Sequence, residues 1–456
     1  MDRLMVGVSG VRGTVGRTLT PRVACDFGCA FGTMLGAGRK VALGRDSRTS
    51  GPMLRHALLG GLLGTGVNVI DLGLASTPAC ALMTARLKCD GGVILTASHN
   101  PAEYNGIKFL RPSGVGLSAA GAERLKRIWQ SGEFDFADQD RQGAATSDDT
   151  AAASYVEAVC EYCDVEAIAN ATFKVVVDST NGAGGPEARM LLDRLGCEVV
   201  HLNAEPTGRF AHPPEPVEQN LADLCRAVRD HKAAVGFAQD ADADRLAIVD
   251  ENGRFIGEEY TLALAAAFVL GRRKGKLATN LGTSRMIDDI AERHGCQVVR
   301  TPTGEANVVD AMLHHGCIFG GEGGGGVIDP RVVPVRNSLS GMAMLLEHMA
   351  ETGKSVGGLV DDIPRYVMIK TKMPCPAGAA ERIVERAKEA FSGRDGARLN
   401  DADGLRIDLP GKWVCVRASN TEPILRIIAE APAQADAEAL IAETRAVADE
   451  VIAGGL

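Results

Sequence analysis

KVVVDSTNGAGGPEARMLLDRLGCEVVHLN, residues 174–203, reads as an apolar strand, a loop of Ser, Thr, Asn and Gly, an amphipathic helix, a glycine and a second apolar strand. The same order recurs in KVALGRDSRTSGPMLRHALLGGLLGTGVNVIDLG, residues 40–73, and in KLATNLGTSRMIDDIAERHGCQVVRTPTG, residues 276–304. Each stretch has the length of a βαβ unit, whose crossover sets its two strands parallel. Three such units in one chain predict three related α/β domains.

The rest of the chain fits around these units. From Arg365 the pattern changes to a strand (YVMIKTK), a helix near 378–391, strands about Leu405–Ile407 and Trp413–Arg417, and a helix over about 433–453. That order predicts a smaller C-terminal α+β domain. Residues 136–150, FADQDRQGAATSDDT, read as a polar linker, and a second junction falls near Asp250–Gly257. The expected domains are 1–150, 151–255, 256–364 and 365–456.

Composition narrows the function. The chain has 456 residues, too many for one ordinary core. Net charge is −9, from 49 basic and 58 acidic residues, which argues against a polyphosphate partner. Two Trp and five Tyr give few platforms for stacking single-stranded bases, so nucleic acid is not expected. The longest apolar run, Leu262–Leu270, is far short of the ~20 residues that cross a bilayer, so no membrane association is expected. The start, MDRLMVGVSG, lacks the pattern of a secretory leader. The 12 cysteines form no dense framework, as in a reducing cytoplasm. Cys160 and Cys163 form one CxxC without partners for zinc, and read as two small apolar residues on a helix.

Four motifs carry chemistry. Asp240-Ala-Asp242-Ala-Asp244-Arg245 lies between two strand-like apolar runs, AAVGFAQ and LAIVD. Carboxylates at alternate positions where a chain leaves a strand can converge on a hard divalent cation such as Mg²⁺. Glu251 falls at the twelfth position of an EF-hand, but Arg245 stands where that loop needs glycine. An acidic surface turn is the plainer rival. Thr96-Ala-Ser98-His99-Asn100-Pro101 follows the strand GGVIL and leads through Asn105 and Gly106 to Lys108. A serine presented on such a turn can act as a nucleophile or carry a phosphoryl group, with Lys108 as phosphate partner. Arg417-Ala-Ser419-Asn420-Thr421-Glu422-Pro423, with Arg426 beyond, is a phosphate cradle or else a capped helix entry. Gly320-Gly321-Glu322-Gly323-Gly324-Gly325-Gly326 contains GxGxxG but runs into VIDP rather than a helix, which rules out a dinucleotide fingerprint. Its one polar side chain, Glu322, can reach sugar hydroxyls.

Taken together and in this order, the motifs resemble those of the α-D-phosphohexomutase family, in its archaeal phosphoglucosamine mutase or phosphomannomutase form. TASHNPAEYNGIK resembles its phosphoserine loop, DADADR its metal loop, GGEGGGG its sugar-recognition loop and RASNTEP its phosphate-binding loop. The opening VGVSGVRG and Gly44-Arg45-Asp46-Ser47-Arg48 are similar to the family's first domain. The resemblance implies three related α/β domains with mixed sheets and a smaller fourth around a central cleft. It also implies that Ser98 becomes a phosphoserine that holds Mg²⁺ together with Asp240, Asp242 and Asp244. The phosphoryl group would pass to a hexose monophosphate, give a bound hexose 1,6-bisphosphate, and return from its other end. Arg12, His99 and Lys108 would sit near the reacting hydroxyl, and Arg245 would stabilise the transferring charge. Arg417, Ser419, Asn420, Thr421 and Arg426 would grip the other phosphate, while Glu322 and Gly324 would lie against the sugar.

One departure from the family stands out. Where many relatives have Ser and His in a Gly-Glu-x-Ser-Gly-His loop, this chain has Gly324 and Gly326. The expected activity is glucosamine 6-phosphate to glucosamine 1-phosphate, with phosphomannomutase/phosphoglucomutase as the alternative. A phosphomonoesterase or a silent sugar-phosphate binder would leave the coexisting serine loop and phosphate cradle unexplained. The expected partner is a small sugar phosphate, and the expected state a cytoplasmic monomer or homodimer.

Overall fold

Strand Gly91–Leu95 is buried at every position, as an unbroken apolar run demands of a strand covered on both faces. In the computed structural model, which describes residues 3–376, 378–418 and 423–454, it is the centre of a seven-stranded sheet. On one side the sheet continues parallel through Lys40–Arg45 and Asn68–Leu74 to Ala145–Ser147. On the other it runs antiparallel through Tyr104–Leu110 and Gly10–Thr14 to Met5–Gly7. The chain leaving Leu95 must therefore turn back sharply into Tyr104, and that turn carries the Ser98 motif.

All three repeated stretches form parallel strand pairs around a helix. They are Lys40–Arg45 with Asn68–Leu74, Lys174–Asp178 with Glu198–Leu202, and Leu277–Asn280 with Val298–Thr301. The second belongs to a four-stranded sheet completed by Val235–Gln239 and the antiparallel Leu246–Val249. Strands on both sides of the DADADR motif exclude the EF-hand. Residues 136–150 are more than a linker. Ala145–Ser147 adds a parallel edge strand beside Asn68–Leu74, a pairing that three residues of alternating Ala, Thr and Ser do not announce.

The chain forms two compact units. The first runs to Val269 and includes Ile318–Val360; the second combines Leu270–Cys317 with the chain from Asp361 onward. The glycine motif enters the first unit as a hairpin of Phe319–Glu322 and Gly326–Ile328. The second unit holds a five-stranded antiparallel sheet with helices Ala379–Ser392 and Gln434–Ala453. Two of its strands, Arg398–Asn400 and Ile424–Ala431, are missing from the sequence reading. In the longer one Arg426 and Glu430 interrupt the apolar pattern, which hides the strand behind the phosphate motif. All 12 cysteines are free, and Cys163 lies beyond the end of helix Ala151–Cys160 rather than on it. Among the described residues, no helix is long and apolar enough to cross a membrane.

Helices Pro21–Leu35 and Gly51–Gly64 cross at backbone distance over the first sheet. A Cβ on Gly61 would stand 2.3 Å from the Cys25 carbonyl oxygen and 2.7 Å from the Cys29 nitrogen. Its neighbour Gly60 has nothing within 4 Å. Gly61→Ala is therefore expected to destabilise the protein by roughly 1–3 kcal/mol through overpacking. Gly60→Ala should stabilise it by roughly 0.5–1 kcal/mol through helix propensity. Urea midpoints of the two variants check the opposite signs.

Candidate active site

Ser98 sits in the left-handed region, at φ +49°, an arrangement that costs a non-glycine residue on the order of 1 kcal/mol. Arg48 stabilises that turn. Its guanidinium, 1% exposed, donates to the carbonyls of Ser98 (2.7 Å), Asn100 (2.6 Å), Pro101 (2.8 Å) and Tyr104 (2.9 Å). Its Nε pairs with Asp46 at 3.2 Å. Asp46 also accepts from Thr96 Oγ1 at 2.7 Å, and Thr96 Oγ1 accepts the Ser98 amide at 2.8 Å. Burial pushes the Asp46 carboxyl up to about 6, against the pull of Arg48. One buried Arg–Asp pair thus fixes the whole serine turn.

The turn delivers Ser98 to the DADADR motif. Ser98 Oγ donates to Asp240 Oδ2 at 2.8 Å and lies 3.2 Å from His99 Nδ1. Asp240, Asp242 and Asp244 occupy the connection of the Val235–Val249 hairpin, all 0% exposed, each with a carboxylate oxygen within 4.8 Å of the others. Three buried like charges so close are costly, and the structure shows the compensation. Lys108 Nζ stands 2.8 Å from Asp242 Oδ2 and 3.5 Å from Asp244 Oδ2. Thr77 Oγ1 donates to Asp242 Oδ2 at 2.5 Å, and the Arg245 amide to Asp240 Oδ1 at 3.1 Å. Burial, then Asp244 and Asp242, hold the Asp240 carboxyl far above its ordinary range. Burial acts the same way on Asp242, but Lys108 and Thr77 overcome it and keep that carboxyl low.

Asp242 Oδ1 and Asp244 Oδ1 are buried without a hydrogen-bond partner. Orphaned carboxylate oxygens beside a serine hydroxyl are the donor set of a hard, oxygen-liganded cation, so these residues fit Mg²⁺. They do not fit an acidic surface turn, because none of the three is at the surface.

Cations ring the triad. Arg12 Nη1 donates to Asn100 Oδ1 at 2.7 Å, and burial lowers its pKa despite Asp242 and Asp244. Arg245 reaches Glu215 at 4.0 Å. Burial, with Arg245, Arg12 and Arg336 nearby, drives the His99 imidazole down to about 2 and keeps it neutral. Glu322 ends its strand almost buried and pairs with Arg336 at 3.2 Å, while the other end of that guanidinium reaches Asp244 at 2.8 Å. A Cβ on Gly324 would approach only Arg245, at 3.7 Å. Ser98, His99, Lys108, Arg12, Arg245, the three aspartates, Glu322 and Gly324 all belong to the first unit.

The phosphate motif lies in the second unit. Arg417 and Arg426 face each other across paired strands, and Arg417 Nη1 pairs with Asp403 at 3.0 Å. Ser419, Asn420 and Thr421 lie outside the described residues.

Asp46, Arg48, Thr77 and Arg336 are the contributors that the sequence motifs did not assign. The GRDSR run contains the first two, and an acid–base pair two residues apart after a buried strand was the available signal. Nothing local marks Thr77 or Arg336, whose partners are 165 and 92 residues away.

A divalent ion that binds only the folded triad stabilises it by mass action, about 2.7 kcal/mol at a hundred times Kd. Mg²⁺ should raise the melting temperature of the wild type. Asp242→Asn keeps the shape and relieves like-charge repulsion, so it should melt near the metal-free wild type and lose the Mg²⁺ increment. A melt with and without Mg²⁺ checks both.

Known proteins match the chain along its length. Residues 3–136, 153–253 and 257–366 match the α/β/α domains I, II and III of phosphoglucomutase/phosphomannomutase, and residues 368–447 match its C-terminal domain. A phosphoglucomutase/phosphomannomutase of Thermococcus kodakarensis is 43% identical over 436 residues, 94% of this chain and 95% of that protein. A probable phosphoglucosamine mutase of Methanopyrus kandleri is 38% identical over 440 residues, 95% of each chain. A crystal structure of a phosphoglucomutase/phosphomannomutase family protein from Burkholderia thailandensis superposes with a TM-score of 0.87 at 28% identity, covering 99% of both chains. With a matching domain in each quarter of the sequence and a buried Ser–Asp centre, the chain belongs to the phosphoglucomutase/phosphomannomutase family of α-D-phosphohexomutases, isomerases that move a phosphoryl group within a sugar phosphate.

Proposed function

We propose that this protein interconverts hexose 6-phosphates and hexose 1-phosphates through a phosphoserine at Ser98. The observation that carries the reading is the Ser98 hydroxyl, 2.8 Å from Asp240 within a buried aspartate triad. Asp240, Asp242, Asp244 and the Ser98 oxygen would hold Mg²⁺, whose positive charge would favour the charge that develops during phosphoryl transfer.

In the forward half-reaction the P–O bond to Ser98 breaks and a P–O bond to the sugar hydroxyl forms, leaving a hexose 1,6-bisphosphate. The hydroxyl proton must leave as that bond forms. It can pass by way of a phosphoryl oxygen to the departing Ser98 oxygen, which neutral His99 faces at 3.2 Å as a hydrogen-bonding partner. Lys108, held between Asp242 and Asp244, and Arg12 and Arg245 supply fixed positive charge to the equatorial oxygens. The bisphosphate then presents its other phosphate, and the reverse transfer restores phosphoserine. Arg417 and Arg426, with Ser419, Asn420 and Thr421, hold the phosphate that is not reacting. Each sequence domain contributes one motif: 1–150 the serine, 151–255 the metal loop, 256–364 the sugar loop and 365–456 the phosphate grip.

The preferred substrate is glucosamine 6-phosphate. Glu322 places one carboxylate in a loop with no serine hydroxyl, which favours a sugar carrying an ammonium group, since charge-assisted bonds are about twice as strong as neutral ones. Relatives at 35–38% identity named probable phosphoglucosamine mutases support this choice. The second reading, phosphomannomutase/phosphoglucomutase, rests on the 43% identical Thermococcus relative of that name. The sugar phosphate is the only partner required, and the protein works as a cytoplasmic monomer or homodimer.

Ser98→Ala should reduce turnover of every hexose phosphate to background, and added glucose 1,6-bisphosphate should not restore it. Full activity in that variant would refute the phosphoserine. A panel of glucosamine, glucose and mannose phosphates should give the highest kcat/KM for glucosamine 6-phosphate. A clear lead for glucose or mannose phosphate would transfer the assignment to the second reading. Glu322→Gln should lower kcat/KM for all three by roughly tenfold, the worth of one charged hydrogen bond.

A further inference from the structure

Arg336 has no role in the reading above, yet it joins two of its parts. Its side chain is 13% exposed, and its two terminal nitrogens point to different carboxylates: Asp244 at 2.8 Å and Glu322 at 3.2 Å. Asp244 belongs to the metal loop and Glu322 to the sugar loop. The backbone holds these loops together at the same place. The Leu246 amide donates to the Gly325 carbonyl at 2.9 Å, and Ser338 Oγ donates to the Ala243 carbonyl at 2.8 Å. Arg336 therefore leaves the start of helix Ser338–Thr352 directly over the aspartates.

The aliphatic stem of Arg336 fills the space beside Gly326. A Cβ at that position would stand 2.2 Å from Arg336 Cδ, 2.8 Å from its Cγ and 3.4 Å from its Cβ. The three nearest atoms all belong to Arg336. Gly326 is not among the residues with positive φ, so alanine would meet no backbone penalty there. The absence of a side chain at 326 and the presence of arginine at 336 are one steric arrangement.

We propose that Arg336 is the positioning residue of the sugar loop: it aims Glu322 at the substrate by tying it to Asp244, and Gly326 lacks a side chain to admit it. A planar fork gives each carboxylate its own nitrogen in a fixed direction, whereas lysine offers one ammonium on a flexible stem. The inference rests on the mutase reading for the role of Glu322, although the steric link between 326 and 336 does not.

The test is a double-mutant cycle with R336A, G326A and the R336A/G326A pair, plus R336K. kcat/KM is measured for glucosamine 6-phosphate and glucose 1-phosphate. Affinity for glucose 1-phosphate is measured by calorimetry on enzyme stripped of divalent ions, and each variant is melted. R336A and G326A should each lose roughly tenfold in kcat/KM and in affinity, with the pair no worse than the poorer single variant. R336K should fall between wild type and R336A, and it carries the test if R336A does not fold. Losses that multiply in the pair would overturn the proposal, as would R336A or R336K matching the wild type within about twofold. A wild type that turned over none of the sugars would defeat the mutase reading, and the calorimetric cycle would still decide the link between Gly326 and Arg336.

Discussion

Three carboxylates buried within 4.8 Å of one another are the constraint to which the rest of the first unit answers. At such distances in a poorly hydrated interior, like charges repel by several kcal/mol unless cations or protons intervene. Lys108 and Arg336 supply charge from two different parts of the chain, and Thr77 and the Arg245 amide supply hydrogen bonds. Even so, two carboxylate oxygens remain without a partner. A centre built this way is poor for stability alone, and its cost makes sense as a cage for a divalent ion beside the Ser98 hydroxyl.

The fold places this centre through its sheets. The serine turn leaves the central strand of the first sheet at its C-terminal end, and the aspartates occupy the hairpin after a buried strand of the second. Such strand ends are where open α/β sheets gather ligands. The turn itself is strained at Ser98, and Arg48 stabilises it by collecting four carbonyls and one carboxylate in a dry site. A buried arginine with every donor engaged holds geometry better than a loop of short side chains, and phosphoryl transfer depends chiefly on positioning.

Much of this was legible in the sequence, for identifiable reasons. The βαβ units could be read because their strands are continuous apolar runs and their helices end on glycine or cap residues. The aspartates and Ser98 could be read because each motif is local: three carboxylates at alternate positions on one hairpin, and a serine with its neighbours on one turn. The edge strand Ala145–Ser147 could not, because three small residues, Ala, Thr and Ser, acquire strand form only from the neighbour they pair with. Strand Ile424–Ala431 was masked by its two charged residues, exposed Arg426 and buried Glu430. Arg336 was invisible for a different reason. Its meaning lies in the space that Gly326 leaves for its stem and in a contact to Asp244 across 92 residues, neither of which a local pattern encodes.

The central claim is that Ser98 and the aspartate triad form one phosphoryl-transfer centre. The most direct measurement is to strip the enzyme of phosphate, incubate it with glucose 1,6-bisphosphate and Mg²⁺, and locate the phosphoryl group by peptide mass spectrometry. The account predicts a single phosphate on Ser98, gained with Mg²⁺ and not without it. A phosphate on any other residue, or none on Ser98 while isomerisation proceeds, would contradict it.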